Sequence, residues 1–315
     1  MRILITGGVG ALGTPICKAF LRDGFTVRVL IRDRKTNRRK AASLGANAEI
    51  ALGDVTDPDS VRQAMQGVDA VVHLAGVIPP STEQNPERAD RINLGGTRTI
   101  IDTIRDTGGS IPFLFPSSVA VFGPTPDAGE PLSIDRSRCN PTNVYARTKV
   151  QVETLIKESG IDYLIMRLTA VPHFRISLRQ MKAVMFSIPL KNRIEFCHPE
   201  DVALAMINAV KRFDEVEGKT VIIAGGPDQQ MYYEDMLRGV LGVFGLPLPP
   251  ERKFTSEPYD LDWYDTRESQ ALLNYQRRTL DDYSRDLSRR FPSPMIALMQ
   301  RVLGPALGKL IVRLM

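Results

Sequence analysis

The segment Thr6-Gly-Gly-Val-Gly-Ala-Leu-Gly13 constrains this chain more than any other, because it sets glycines at 8, 10 and 13 between an apolar run, Ile3 to Thr6, and a helical pattern near 13 to 23. Glycines at that spacing permit a tight strand-to-helix turn and let main-chain N–H groups approach a pyrophosphate. They also let the helix pack closely on its strand, while the helix N-terminus favours an anion. The loop therefore predicts that Gly7, Gly8, Val9, Gly10, Ala11, Leu12 and Gly13 cradle a dinucleotide. The competing reading is a tight turn and nothing more.

Further apolar runs follow at Val27 to Ile31, Glu49 to Leu52, Ala70 to Ala75, Phe113 to Pro116 and Tyr163 to Leu168, separated by helical patterns near 58 to 66, 91 to 107 and 144 to 158. These runs are continuous rather than alternating, as expected of strands buried on both faces. Their alternation with helices predicts an α/β fold with a right-handed, doubly wound parallel sheet, the Rossmann arrangement. A helix near 200 to 212 and a strand at Thr220 to Ala224 are expected to return to that sheet. The expected organisation is a dinucleotide-binding domain over 1–170 with returning segments at about 195–225, a smaller substrate lobe from 171–194 and 226–294, and an amphipathic C-terminal helix over 295–315. Pro247, Pro249, Pro250 and Pro258 break the pattern in that lobe.

With 315 residues, 43% hydrophobic and 24% charged, the chain has room for a substantial core, and neither wholesale disorder nor a polytopic membrane protein fits. The balance of 41 Lys+Arg against 36 Asp+Glu gives +5, too small and too dispersed to imply a nucleic-acid groove. Cys17, Cys139 and Cys197 have no paired or metal-ligand spacing. They read as thiols kept reduced in a cytoplasm, with no metal site. Met1 leads straight into Arg2-Ile-Leu-Ile-Thr, with no export signal.

The end of the second strand chooses between NAD, through an acid on the ribose hydroxyls, and NADP, through a cation on the 2′-phosphate. The sequence there is Val29-Leu-Ile-Arg-Asp-Arg-Lys35. Arg32 offers a bidentate phosphate partner and favours NADP, whereas Asp33 favours NAD if the strand ends one residue later. Tyr145-Ala-Arg-Thr-Lys149 puts a phenol and an ammonium one helical turn apart. The lysine is expected to lower the phenol's pKa toward the working range, making Tyr145 an acid–base group. Ser117 and Ser118 stand at the carboxyl end of a central strand, the edge where open parallel sheets hold ligands. Ser118 is read as polarising a substrate oxygen, Ser117 as a secondary donor, and His173, after the sixth strand, as a substrate contact. His73, inside an apolar strand, reads as a satisfied core residue.

With these residues in hand, the chain resembles the extended short-chain dehydrogenase/reductase family, also called NAD-dependent epimerase/dehydratases, over roughly residues 1 to 225. The matches are the glycine loop, Gly53-Asp-Val-Thr-Asp57, Val71-Val-His-Leu-Ala-Gly76, Asn93-Leu-Gly-Gly-Thr97, Ser117-Ser118 with Gly123, Tyr145 with Lys149, Arg167, and Phe196-Cys-His-Pro-Glu-Asp-Val202. The resemblance implies that Asp54 and Val55 meet the adenine, that Ala75 and Gly76 run along the cofactor's sugars, and that Lys149 also binds the nicotinamide ribose. It further implies that Tyr145, Leu168 and Val171 touch the cofactor and that Asn93 supports the active-site backbone; two-helix dimers are frequent in the family, and whether this chain forms a homodimer is left open.

Departures from the family pattern narrow the activity. Dehydratases carry Asp-Glu after the active-site hydroxyl residue, where this chain has Val119-Ala120. About twenty residues precede the Phe196 motif, a short cap for a nucleotide diphosphate, and Met181-Lys-Ala-Val-Met-Phe-Ser-Ile-Pro-Leu190 is apolar. Arg175 and Arg179 read as a phosphate grip or a solvated helix face. The expectation is an NADP-dependent carbonyl reductase or secondary-alcohol dehydrogenase acting on a relatively apolar small molecule. The alternatives are a nucleotide-sugar epimerase with retained nicotinamide and a non-enzymatic dinucleotide sensor. Apolar positions 295, 299, 302, 303, 307, 310, 311 and 314, opposite Arg301, Lys309 and Arg313, form a basic amphipathic helix. Such a helix suits a peripheral membrane surface, the protein's own body or a second subunit.

Overall fold

Every strand of the large sheet has apolar side chains on both faces, and that property sets the architecture. In the first strand Ile3 and Ile5 enter one core while Leu4 enters the other, and in the fifth Leu114 is divided in the same way from Phe113 and Phe115. Successive strand residues point to opposite faces, so helices must cover both sides. The computed structural model describes residues 1–108, 110–126, 128–173 and 185–290.

The strands are β1 (Arg2–Thr6), β2 (Thr26–Ile31), β3 (Ala48–Leu52), β4 (Ala70–His73), β5 (Phe113–Ser118), β6 (Tyr163–Leu168), β7 (Arg193–Glu195), β8 (Thr220–Ile223) and β9 (Gln230–Tyr232). Seven form one sheet in the order β3-β2-β1-β4-β5-β6-β8, all neighbours parallel, while β7 and β9 form a separate antiparallel pair. The order reverses between β1 and β4, the crevice where doubly wound sheets take ligands. The helices among the described residues are α1 (Gly13–Arg22), α2 (Lys35–Ala42), α3 (Pro58–Met65), α4 (Ser81–Gln84), α5 (Pro86–Asp90), α6 (Gly96–Asp106), α7 (Val144–Lys157), α8 (Pro199–Lys211), α9 (Phe213–Val216), α10 (Tyr233–Val243), α11 (Arg267–Leu273) and α12 (Leu280–Arg290).

On one face of the large sheet α1 and α8 bury Ile16, Phe20, Val202 and Met206, and on the other α3, α6 and α7 bury Val61, Ile100, Ile104 and Ile156. The smaller C-terminal lobe has its own cluster, in which Ile188, Leu190 and Ile194 pack against Tyr233, Leu237 and Leu241 of α10. The doubly wound fold and smaller lobe agree with the sequence. The pattern over 91 to 107 differs: a helix begins earlier, at Pro86, and a π turn at Arg91–Gly95 separates α5 from α6. Asn85 accepts from the Arg88 N–H and starts α5, a cap followed by proline at the first helical position.

Lobe and sheet are fastened by Glu195 and Asp201. Glu195 is fully buried and accepts from the Gly226 N–H at 2.8 Å, the Tyr264 N–H at 2.8 Å and the Gln230 side chain at 3.0 Å. Asp201, also buried, accepts from the Arg277 and Arg278 N–H groups and pairs with the Arg278 guanidinium at 2.8 Å. Among the described residues no helix is long and apolar enough to cross a membrane. The expected amphipathic helix over 295–315, with Arg175 and Arg179, lies outside the described residues.

Candidate active site

The glycine loop leaves β1 at Thr6 and turns sharply at Gly7, whose φ of +70° belongs to the left-handed region. A Cβ on Gly7 would stand 2.7 Å from the Ala75 nitrogen, and one on Gly13 only 2.3 Å from the Gly7 carbonyl. The loop is thus pressed against the strand end behind it, with Gly10 N–H closing the turn on the Gly7 carbonyl at 2.9 Å. Leu12, at the N-cap of α1, contributes no side-chain hydrogen bond to the helix start. A close-packed backbone loop under a helix start without a side-chain cap suits a pyrophosphate.

Parallel register brings the predicted residues to one edge. Thr6 pairs with Leu30 and with His73, and Ser118 with Leu168, so the carboxyl ends of β1, β2, β4, β5 and β6 open on the same side. Arg32 is exposed just beyond β2, and among the described residues it has no ion pair. Asp33 is engaged by Arg38 through both carboxylate oxygens, at 2.6 and 2.9 Å, and that guanidinium lowers its pKa. Asp54 accepts from the Thr56 N–H and hydroxyl, at 3.1 and 3.0 Å, while Val55 is buried and packs on Gly96. Leu168 is buried at the end of β6, with Val171 half-buried three residues on.

Behind the loop runs a continuous hydrogen-bond chain. Thr6 Oγ1 accepts from the Ala75 N–H at 3.1 Å and lies 2.7 Å from His73 Nδ1; His73 Nε2 lies 3.1 Å from Thr97 Oγ1, which donates to the Asn93 carbonyl at 2.6 Å. Every group is satisfied when Thr6 donates to Nδ1 and Nε2–H donates to Thr97, which assigns the neutral Nε2–H tautomer. Burial holds His73 neutral, its pKa pushed down to about 3. The Asn93 side chain then takes the Val77 N–H at 2.7 Å and donates to the Val77 carbonyl at 3.0 Å, beside Gly76. His73 is a satisfied core residue, and Asn93 fixes the backbone just past Ala75 and Gly76.

Tyr145 lies in the first turn of α7. Asn143 caps that helix through the Ala146 N–H at 2.9 Å, and Glu83 of α4 accepts from the Val144 and Tyr145 N–H groups, both at 3.1 Å. A carboxylate at a helix N-terminus satisfies free donors and suits the helix dipole. The Ser118 hydroxyl lies against the Tyr145 phenol, and also accepts from the Ala120 N–H at 3.2 Å. One turn on, the Lys149 ammonium donates to the Pro116 carbonyl at 2.7 Å, sits 4.4 Å above the Phe115 ring and lies 5.9 Å from the Tyr145 ring.

The electrostatics correct one expectation. Burial raises the Tyr145 pKa, opposed by the Ser118 hydrogen bond, rather than Lys149 lowering it. Burial in turn pulls Lys149 down to about 8, against the support of Glu153. Tyr145 is half-buried, and desolvation there disfavours the phenolate and holds the side chain as a neutral phenol.

Ser117 faces the other way. Its hydroxyl donates to Glu153 at 2.6 Å, and Glu153 is bound by Arg167 at 3.0 and 2.7 Å in a pair whose side chains are 4% and 6% exposed. Ser117 is thus spent on a buried network rather than turned toward the Tyr145 phenol, the expected consequence of alternation along a strand. Sequence reading missed Glu153, although its place four residues after Lys149 puts it on the same helix face. His173 is half-buried beyond β6; its carbonyl accepts from Tyr283, and among the described residues nothing bonds its buried Nδ1.

The chain is similar to several known proteins. D-erythronate dehydrogenase of Cupriavidus necator is 32% identical over 187 residues, 54% of this chain and 55% of that protein. Sanguinarine reductase of Eschscholzia californica is 23% identical over 253 residues, 72% of this chain and 90% of that one. A Sinorhizobium fredii protein, y4nG, is 31% identical over 65% of this chain and 52% of its own length, so the chain spans about half the length of several curated relatives it matches. In fold, the UDP-glucose-4-epimerase of Stenotrophomonas maltophila, solved with bound NAD, superposes with a TM-score of 0.76 at 19% identity, covering 96% of this chain and 99% of that one. The UDP-glucuronic acid 4-epimerase of Bacillus cereus gives 0.77 at 19% identity, covering 93% of this chain and 100% of that one. A family model matches residues 3–225, the span that carries the glycine loop, Ser118, Tyr145 and Lys149, and the chain belongs to the NAD-dependent epimerase/dehydratase family.

Proposed function

We propose that this chain is an NADP-dependent carbonyl reductase or secondary-alcohol dehydrogenase acting on a relatively apolar small molecule. The observation that carries the reading is the meeting of Tyr145 and Ser118 at the carboxyl edge of β5, with the phenol kept protonated by burial. A neutral phenol is a proton donor: it gives its proton to a carbonyl oxygen as charge develops there, while the Ser118 hydroxyl polarises the same oxygen. A bound nicotinamide supplies the hydride. Lys149, held at the Pro116 carbonyl, keeps a positive charge beside that oxygen and within reach of a ribose. Val119, buried after Ser118, leaves no carboxyl group there to expel water. An apolar substrate is supported by the run Met181-Lys-Ala-Val-Met-Phe-Ser-Ile-Pro-Leu190 ahead of the Phe196 motif, more apolar than a diphosphate would invite. Two relatives named for oxidoreduction lend further support.

NADP is supported over NAD by the end of β2. Asp33, the acid that would take ribose hydroxyls, is clamped by Arg38, whereas Arg32 is exposed and unpaired among the described residues. Water screens so exposed a pair, so it handicaps Asp33 without disabling it. Titration with NADPH and NADH tests this choice: NADPH binds more tightly, and Arg32→Ala lowers NADPH affinity about tenfold while sparing NADH, as expected for losing a charge-assisted phosphate contact. Equal or tighter NADH binding by the unaltered protein would refute it. An epimerase would use Tyr145 without net cofactor consumption, so stoichiometric NADPH oxidation on adding a carbonyl substrate separates the two activities.

A further inference from the structure

We propose that Tyr259, supplied by the smaller lobe, is a specificity-determining residue whose hydroxyl binds a second substrate oxygen next to the reacting carbonyl, so that the preferred substrate is an α-oxygenated carbonyl on an apolar body. The inference rests on the reductase reading above and assigns its substrate class.

The segment carrying Tyr259 is tied to the start of the Tyr145 helix. Asp260 accepts from the Asn143 side chain, the N-cap of α7, and from the Thr142 hydroxyl at 3.4 Å. On the lobe side, the Tyr259 N–H donates to Asn192 at 3.1 Å, and the Asn192 side chain returns a bond to the Leu261 carbonyl at 3.0 Å. The backbone around Tyr259 is therefore pinned on both sides, which fixes where its ring stands. The ring packs at the edge of the apolar lobe cluster, and its phenol lies close enough to Tyr145 and to Tyr233 to act on both electrostatically.

Tyr233 donates its hydroxyl to the Met185 carbonyl at 3.3 Å, but among the described residues the Tyr259 hydroxyl makes no hydrogen bond. A half-buried hydroxyl without a partner discriminates strongly, because it rewards a ligand that completes the bond and penalises one that does not. Tyr145 and Ser118 already serve one oxygen, so a second phenol within electrostatic reach of Tyr145 suits an oxygen on the adjacent carbon.

Tyr259→Phe removes only the hydroxyl and keeps the ring that packs. The test compares NADPH-dependent reduction of cyclohexanone and 2-hydroxycyclohexanone by the unaltered protein and by Tyr259→Phe, with NADPH affinity measured in parallel as a check on folding. The unaltered protein is expected to prefer the hydroxyketone, and Tyr259→Phe to lose about tenfold in kcat/KM for it, chiefly through KM, while cyclohexanone reduction and NADPH affinity change less than about twofold. Equal losses on both ketones, or no loss on either, would overturn the assignment while leaving the reductase reading intact. If neither ketone nor any other carbonyl oxidises NADPH, the reductase reading falls and takes this inference with it.

Discussion

Lys149 shows how a single buried charge weighs on the fold. Its ammonium is buried over Phe115 with the Pro116 carbonyl as acceptor, and burial lowers its pKa to about 8 from the ordinary lysine value. Below that pH both folded and unfolded chains hold the charge, so the burial penalty is present in full. Between about 8 and the unfolded lysine value near 10.4 the unfolded chain binds more protons than the folded one, and stability rises with pH. The stability of the cofactor-free protein relative to Lys149→Met is therefore expected to increase from pH 7 to pH 10, read as a difference in urea midpoints. A difference that does not change with pH would show that Lys149 is not buried as a charge. Tyr145 is displaced in the opposite sense, toward the neutral phenol, which suits proton donation.

Among the elements, β5, β6 and α7 are locked by Ser117, Arg167 and Glu153, and this lock sits directly behind Ser118 and Lys149. Removing one member strands a buried charge, so Glu153→Ala is expected to cost about 3–5 kcal/mol, whereas joint replacement by Glu153→Leu and Arg167→Met is expected to cost less than the single change. Urea denaturation of the three variants checks the order; a double variant less stable than the single one would contradict it. The lock was poorly legible because Glu153 and Arg167 are distant partners in different elements, and only the spacing of Glu153 from Lys149 pointed to it. The glycine loop was legible because its demand is local: Gly7 and Gly13 face backbone atoms within the same turn or the adjoining strand end. Ser118 and Tyr145 were legible as residues at a strand end and a helix start. The raised phenol was not, since it reflects burial beneath other elements. β7 and β9, three residues each, are too short for any periodicity to register, and the π turn at Arg91–Gly95 divides what reads as one helix.

At the scale of the molecule, a sheet covered on both faces presents its carboxyl edge to a lobe that holds on at two places. Asp201 and Glu195 anchor the lobe to the body, and Asp260 fastens its other side to the start of α7, which carries Tyr145. That arrangement brings Tyr259 within electrostatic reach of the Tyr145 phenol. In the proposed reaction Tyr145 delivers the proton to the carbonyl, and the proposal stands or falls with that step. It is tested most directly by carbonyl-dependent NADPH oxidation with the unaltered protein and with Tyr145→Phe, alongside NADPH affinity for each. A fall in turnover of about 10²–10⁴-fold with cofactor affinity nearly unchanged is expected; turnover retained in Tyr145→Phe, or lost only in step with NADPH binding, would rule out Tyr145 as the proton donor.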